Sequence, residues 1–138
     1  MDYQPLQFGD TVLIKVPSWA HDDGTAYTRM AVVIGDLGPI VRVALTSTTT
    51  IRQGLPEASY RPRIIGNGVG QGNSLNALSE VVLEEDGRII VDKKDIVWTR
   101  KGGLKRGHLN PDDKFLVAAL ANAVHPGVFA LNYGGSTK

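Results

Sequence analysis

The chain has 138 residues and a formal net charge of +1, so its overall charge neither favours nor excludes a nucleic-acid partner. Its 42% hydrophobic and 21% charged residues are an ordinary balance for a globular protein, and the length predicts one domain over residues 1–138. No apolar run approaches the ~20 residues that a membrane span needs, and the absence of cysteine excludes disulfides and thiolate metal sites. The first residues lack the pattern of an export signal, so we expect a cytoplasmic protein with no membrane partner.

Three β-rich segments follow one another within the first 46 residues. Residues 8–10, Phe-Gly-Asp, predict a turn before a strand over Thr11–Val16, which Pro17 is expected to end. Further strands are predicted over Arg29–Ile34 and Ile40–Thr46, separated by the turn residues 35–39. Because no helical periodicity lies between these strands, they predict an antiparallel sheet that curls into a small barrel.

The middle of the chain is less regular. The glycine-rich residues 66–73 lack the lysine and the strand–turn–helix setting of a phosphate-binding loop, so a surface loop is the favoured interpretation. Residues 81–91 place Asp86-Gly87 between two β-rich arms, which predicts a tight hairpin. Residues 95–99 predict one more short strand.

A C-terminal helix is predicted over about residues 111–124. Asn110 is a favourable N-cap, Pro111 suits the first helical position, and Asp112 and Asp113 complement the helix dipole. The apolar stripe of this helix is wide, so we expect it either to be sunk in its own domain or to be covered on its second side by another copy or a partner peptide. The tail over 126–138 is expected to be peripheral.

Positive charge is concentrated in one stretch of the chain. Between residues 93 and 108 six lysines and arginines face a single acid, Asp95, whereas the other acids gather elsewhere. Such a stretch suits contact with a phosphate backbone, and it is equally typical of a solvated basic loop.

Four local features in the same order resemble the PemK/MazF-like toxins of bacterial type II toxin–antitoxin systems. They are the Gly9-Asp10 turn, the polar loop 21–24 that leads to Thr28-Arg29, the strand that ends in Thr46-Ser47, and the strand 89–92 that ends in aspartate. The resemblance covers roughly residues 8–124. It implies a mainly β fold, a small SH3-like antiparallel barrel (CcdB/MazF-like) with a C-terminal α-helix. It also implies a homodimer and a cognate antitoxin partner.

The resemblance further implies a metal-independent endoribonuclease that cleaves single-stranded mRNA without a cofactor, through attack of the ribose 2′-hydroxyl on the adjacent phosphorus. In that interpretation Arg29 stabilises the phosphate, and Thr46 donates a hydrogen bond. Asp92 would accept the proton of the nucleophile, and His21 would protonate the leaving oxygen. The residues expected to contact RNA are Lys93, Lys94, Arg88, Arg100, Ser47 and Thr48.

Two departures from the family pattern bear on these assignments. Met30 stands where the family usually has proline, and Ile90 stands where some members have an arginine, so Arg88 or Arg29 would have to replace that charge. Arg29 also suits an ion pair at a strand end, Asp92 suits a turn cap, and Thr46 and His21 suit ordinary strand and loop positions.

A second hypothesis belongs to a different class. The same barrel suits a non-catalytic binding module, such as a topoisomerase-inhibiting toxin or a protein or nucleic-acid adaptor. Convergence of Arg29, Thr46 and Asp92 on one groove would favour the nuclease, and scattered positions would favour the binding module.

Overall fold

A computed structural model of the chain describes residues 4–20, 26–47, 51, 53–56, 62–64, 79–82 and 89–124. These ranges contain seven strands: β1 (Asp10–Ala20), β2 (Ala26–Asp36), β3 (Ile40–Ser47), β4 (Arg63–Ile64), β5 (Ser79–Val82), β6 (Ile89–Asp92) and β7 (Gly107–His108). A single 3-10 turn covers Lys93–Asp95, and the helix α1 covers Pro111–Val124. None of the helices described is long and apolar enough to cross a membrane.

The strands form one curled antiparallel sheet in the order β4-β5-β3-β2-β1-β7, with β6 also paired to β3. An antiparallel bridge between Ile96 and Ile14 brings the chain after β6 back against β1. The mainly β fold with one C-terminal helix is therefore confirmed.

The sheet is buried on both of its faces, which explains the nearly continuous apolar runs of β2 and β3. One face, here called the inner face, carries a core cluster that includes Ile14, Ala31, Leu45 and Ile96. The opposite face, here called the helix face, packs Val32 and Ala44 against α1 through residues such as Val117 and Leu120. Because successive side chains of a strand point to opposite faces, these core residues show which face each residue next to them in β2 and β3 belongs to.

The predicted hairpin over residues 81–91 is wrong. The described residues of both arms pair with β3, and none of them pairs with the other arm: β5 pairs Val82 with Leu45, and β6 pairs Ile89 with Val43. β5 and β6 therefore lie end to end along the same edge of β3. The Asp86-Gly87 turn itself lies outside the described residues.

Two further strand boundaries differ from the prediction. β1 continues past Pro17 to Ala20, and its register with β2 shifts between Val16 and Ala20. An irregular ladder tolerates proline, which has no N–H to donate. The strand predicted over residues 95–99 is reduced to the single bridge of Ile96, because the 3-10 turn extends to Asp95.

The helix prediction is confirmed at its start. The Asn110 side-chain oxygen accepts a hydrogen bond from the Asp113 amide at 2.7 Å, as expected of an N-cap. The domain covers one side of α1 and leaves the other side open, since Phe115 is 69% exposed and Leu116 38% exposed. The predicted peripheral tail, 126–138, lies outside the described residues.

Candidate functional site

Arg29 and Thr46 lie at the same end of the β2–β3 pair, but on opposite faces of the sheet. Arg29 alternates with Ala31 on the inner face and is exposed. Thr46 alternates with Ala44 on the helix face and is buried. The Thr46 hydroxyl donates a hydrogen bond to the main-chain oxygen of Met30 at 2.9 Å. The Thr46 hydroxyl therefore forms a hydrogen bond that links β3 to β2.

Asp92 lies at the other end of β3. It pairs with Ile40, six residues from Thr46, which corresponds to about 20 Å along the strand. An aspartate and a threonine side chain cannot both reach one phosphate over that length. Asp92 is exposed and precedes the 3-10 turn without a side-chain cap. Arg29, Thr46 and Asp92 are therefore not brought around a single scissile phosphate.

Lys93, expected to contact RNA, is only 3% exposed. Its ammonium donates to the main-chain oxygen of Gln4 at 2.8 Å and to the Asp36 carboxylate at 2.9 Å. Asp36 also accepts bonds from the amides of Leu6, at 2.7 Å, and Gly38, at 2.8 Å. The Lys93 ammonium is therefore bonded within the fold and is not exposed to contact RNA.

Burial raises the pKa of the Asp36 carboxyl, but its amide donors and the Lys93 ammonium lower that pKa by more. The pKa therefore lies below the ordinary aspartate value of 3.8. Asp36 is a structural anion that stays ionised at neutral pH.

The other predicted RNA contacts and the predicted catalytic acid, His21, fall into two groups. Lys94 and Arg100 are exposed, and Ser47 is half-buried at the end of β3. His21, Arg88 and Thr48 lie outside the described residues, as does the glycine-rich segment 66–73.

The structure brings together a different polar set on the inner face. In the strand ladders Arg63 of β4 pairs with Glu80 of β5, and Glu80 pairs with Ser47 of β3. The ladder between β2 and β3 ends with the pair Ala31 and Leu45. If this register is extended by two residues, Arg29 of β2 lies opposite Ser47 of β3. We call these four residues, Arg63, Glu80, Ser47 and Arg29, the inner-face row. They share one face because directly paired residues of an antiparallel sheet point the same way.

The inner-face row has the composition of a phosphate site. Neighbouring strands are about 4.8 Å apart, so roughly 10 Å separates the backbones of Arg29 and Glu80, with the Ser47 hydroxyl between them. The Arg29 side chain is exposed, whereas the Glu80 side chain is buried. The Arg63 guanidinium donates to the main-chain oxygen of Leu55. Guanidiniums and a hydroxyl can bind a phosphate, and a carboxylate can accept a proton from a hydroxyl group next to that phosphate.

Sequence reasoning missed Glu80 and Arg63. Their local signal is weak: Glu80 is a charged residue beside the apolar pair Val81-Val82, and Arg63 lies among prolines and isoleucines. The pairing that aligns them with Ser47 joins segments separated by 16 and 33 residues, and no spacing rule in the sequence predicts it. The burial of the Glu80 carboxylate within β5 becomes evident only once the sheet is assembled.

A separate concave site lies between the start of β1 and the start of α1. This cavity of about 230 Å³ is lined by residues that include Asp10, Lys105, His108 and Lys114. Asp10 is buried, accepts a bond from the Gln7 amide at 2.8 Å, and lies 3.3 Å from the Lys105 ammonium. Asp10 precedes Ile14 by four residues, about 13 Å of strand, so this cavity is distinct from the inner-face row.

Within the described ranges no three histidine, aspartate or glutamate side chains cluster as potential metal ligands. Comparison of the chain with protein-family models and with curated proteins gives no match.

Proposed function

We propose that this chain is a metal-independent endoribonuclease of the PemK/MazF-like toxin type, which cleaves single-stranded RNA at the inner-face row. The observation that carries the proposal is the pairing of Ser47 with Glu80 and of Glu80 with Arg63, together with exposed Arg29 on the same face of β2, two residues beyond the paired Ala31. The curled antiparallel sheet with one closing helix supports an SH3-like barrel of the CcdB/MazF kind.

In this proposal the exposed Arg29 binds the scissile phosphate, since a guanidinium makes paired hydrogen bonds to phosphate oxygens. The Ser47 hydroxyl donates a further bond to the charged phosphorane. Glu80 takes the base role that the sequence assigned to Asp92, and Arg63 faces it from β4.

The proposed reaction balances without a metal ion. The ribose 2′-oxygen bonds to phosphorus as its proton passes to the Glu80 carboxylate, and the bond from phosphorus to the 5′-oxygen breaks. The leaving 5′-oxygen takes a proton from solvent water, and the products are a 2′,3′-cyclic phosphate and a 5′-hydroxyl end. Lys94 and Arg100, both exposed, supply phosphate contacts outside the reacting group.

The test is cleavage of end-labelled single-stranded RNA by the purified chain in the presence of a chelator. We expect cyclic-phosphate products from the wild-type chain and a loss of about 100-fold or more in rate for Arg29→Ala. Lys15→Ala is the matched control. Lys15 is an exposed cation that follows Ile14, the β1 partner of Arg29, and its side chain therefore points to the other face of the sheet. Undiminished cleavage by a folded Arg29→Ala variant overturns the proposal.

A second pair of variants separates the two carboxylates. Glu80→Gln keeps the shape of the side chain and is expected to abolish cleavage while RNA still binds. Asp92→Asn is expected to cleave at the wild-type rate, since Asp92 lies at the far end of β3 from Ser47. The reverse result would return the base role to Asp92 and remove the inner-face row from the mechanism.

The proposal includes two protein partners, a second copy of the chain and a cognate antitoxin. Its support is the open side of α1, where Phe115 and Leu116 expose apolar surface. We expect expression of the chain to arrest growth, and co-expression of the antitoxin to relieve that arrest. Size-exclusion chromatography with light scattering measures whether the purified chain is a dimer.

A non-catalytic binding module is the second candidate. The separation of Thr46 from Asp92 favours it, as does the use of the Thr46 hydroxyl within the sheet. Such a module would bind RNA or protein without producing cyclic-phosphate ends, so the cleavage assay distinguishes the two candidates.

A further inference from the structure

Trp98 is a large aromatic side chain that the fold leaves open to solvent. The Trp98 side chain is 56% exposed, although burial of an indole is energetically favourable and tryptophan is usually largely buried. Trp98 lies two positions after Ile96, which belongs to the inner-face core, so only one residue separates a buried position from an exposed one.

The backbone that carries Trp98 is held in place by hydrogen bonds. The Thr99 amide donates to the Gly103 oxygen at 2.8 Å, and the Gly102 amide donates to the Thr99 oxygen at 3.0 Å. Gly102 has a φ of 83°, which a residue with a side chain rarely adopts. The Gln4 side chain brackets this turn, since it donates to the Gly102 oxygen and accepts from the Leu104 amide, each at 2.9 Å. Trp98 is therefore displayed from an ordered turn.

Two exposed cations follow Trp98 within three residues of the chain. Arg100 and Lys101 follow it on the same turn and are exposed, and neither forms an ion pair with any described residue. The Arg106 guanidinium reaches the main-chain oxygen of Trp98 at 3.5 Å. An exposed aromatic side chain followed by the exposed cations Arg100 and Lys101 has the composition of a single-strand nucleic-acid site, where bases stack on the aromatic ring and phosphates pair with the cations.

The turn also lies near the inner-face row. Ile96 bridges to Ile14, Ile14 pairs with Arg29, and the Val97 amide donates to the Leu13 oxygen at 2.7 Å. Two strand spacings and two residues of chain therefore separate Arg29 from Trp98, at most roughly 17 Å between α-carbons. About five stacked nucleotides, at ~3.4 Å each, span that distance.

We infer that Trp98 stacks on a base of single-stranded RNA whose scissile phosphate lies at Arg29, and that Arg100 and Lys101 bind the phosphates beside that base. This inference rests on the proposed function and adds a base-contacting residue to it. Because every base has a π-face, this contact tolerates any base and contributes to the affinity for RNA. The cleavage reaction itself depends on the inner-face row.

The experiment measures binding by fluorescence anisotropy of a labelled 2′-O-methyl RNA oligonucleotide, which has no free 2′-hydroxyl to attack phosphorus. We expect Trp98→Ala to raise the Kd about tenfold or more, and Trp98→Phe to stay within about threefold of wild type. Leu37→Ala is the control, because Leu37 is an exposed apolar side chain that follows the end of β2 remote from Arg29, and the Kd of this variant should not change.

A polyphosphate competitor separates stacking from charge. Trp98→Ala should leave the affinity for polyphosphate unchanged, whereas Arg100→Ala with Lys101→Ala should weaken binding of both ligands and reduce the salt dependence. An unchanged Kd in Trp98→Ala, or an equal loss of RNA and polyphosphate affinity, overturns the inference. Circular dichroism of each variant establishes that it folds. If the alanine variant does not fold, Trp98→Leu replaces it, because leucine keeps an apolar side chain without a π-face and should raise the Kd for RNA in the same way.

The outcomes also separate this inference from the proposed function. If the wild-type chain binds the oligonucleotide through Trp98 but cleaves no RNA, the stacking role stands and the ribonuclease proposal falls. If Arg29→Ala abolishes cleavage while Trp98→Ala binds as tightly as wild type, the ribonuclease stands and the stacking role falls.

Discussion

The Lys93 ammonium lies 2.9 Å from the Asp36 carboxylate, and this ion pair joins the 3-10 turn after β6 to the end of β2. The same ammonium donates to the Gln4 oxygen at 2.8 Å, and Asp36 accepts from the Leu6 amide. Three segments distant in sequence therefore meet at one nearly buried charge pair. This junction closes the curled sheet against the N-terminal segment.

We predict that Lys93→Met destabilises the chain by about 3 kcal/mol or more, because it leaves the partly buried Asp36 carboxylate without its cation. Lys94→Met is the control, since Lys94 is exposed and its replacement should change stability by about 0.5 kcal/mol or less. Urea denaturation measures both. Equal stability of the two variants would show that the ion pair contributes nothing.

A second prediction concerns the dependence of stability on pH. The pKa of Asp36 is lower in the folded chain than its ordinary value, so the unfolded chain binds the proton first as the pH falls. The stabilisation is complete above pH ~5, and it is lost as the pH falls from about 4 through the folded-state pKa. We expect Asp36→Asn to lower the thermal midpoint at pH 7 and to differ less from wild type at pH 3. A difference that stays constant with pH contradicts this assignment, and Asp92→Asn, at an exposed carboxylate, supplies the control.

The third prediction tests the role of the Thr46 hydroxyl. Thr46→Val removes the bond to the Met30 oxygen and should cost about 1 kcal/mol, whereas Thr46→Ser keeps the hydroxyl. The rate of RNA cleavage by folded Thr46→Val should stay within about threefold of wild type, because the hydroxyl is bonded to the neighbouring strand and does not contact the RNA. Denaturation and the cleavage assay measure the two effects. A large loss of cleavage without a loss of stability would restore Thr46 to the catalytic set.

The fourth prediction concerns the start of α1. Asn110→Ala removes the acceptor of the Asp113 amide and should destabilise the chain by about 1 kcal/mol. Asn122→Ala is a matched control, since Asn122 is exposed within the same helix and alanine is a better helix former. We expect Asn122→Ala to be neutral or slightly stabilising in thermal denaturation. Equal effects of the two substitutions would mean that the cap is energetically silent.

Local patterns predicted the local elements of this fold well. The β-rich runs gave β2 and β3 to within a few residues, and Asn110-Pro111 gave the start of α1, because these signals act over one or two turns of backbone. The hairpin over residues 81–91 was predicted wrongly for the same reason. Its two arms have the right composition to pair with each other, but β3 offers both of them a longer partner.

The candidate site was less predictable than the fold. Arg29 and Ser47 were identified from their positions at strand ends, and both belong to the inner-face row. Thr46 is adjacent to Ser47 in sequence, yet it points to the other face, because successive residues of a strand alternate. Lys93 lies within a basic stretch, yet it is buried against Asp36. Neither outcome follows from the residue type alone.

Residue order by itself determined that this chain forms a mainly β domain ending in a capped helix, because alternation, turn residues and capping act between near neighbours. Only the tertiary structure decided which polar side chains meet. The register of two strand pairs aligns Arg63, Glu80 and Ser47, and the register of β2 with β3, extended by two residues, places Arg29 beside them. A shift of one residue in any of these registers would send the side chains to the opposite face. That register depends on how the whole sheet buries its two cores, which is a property of the assembled molecule.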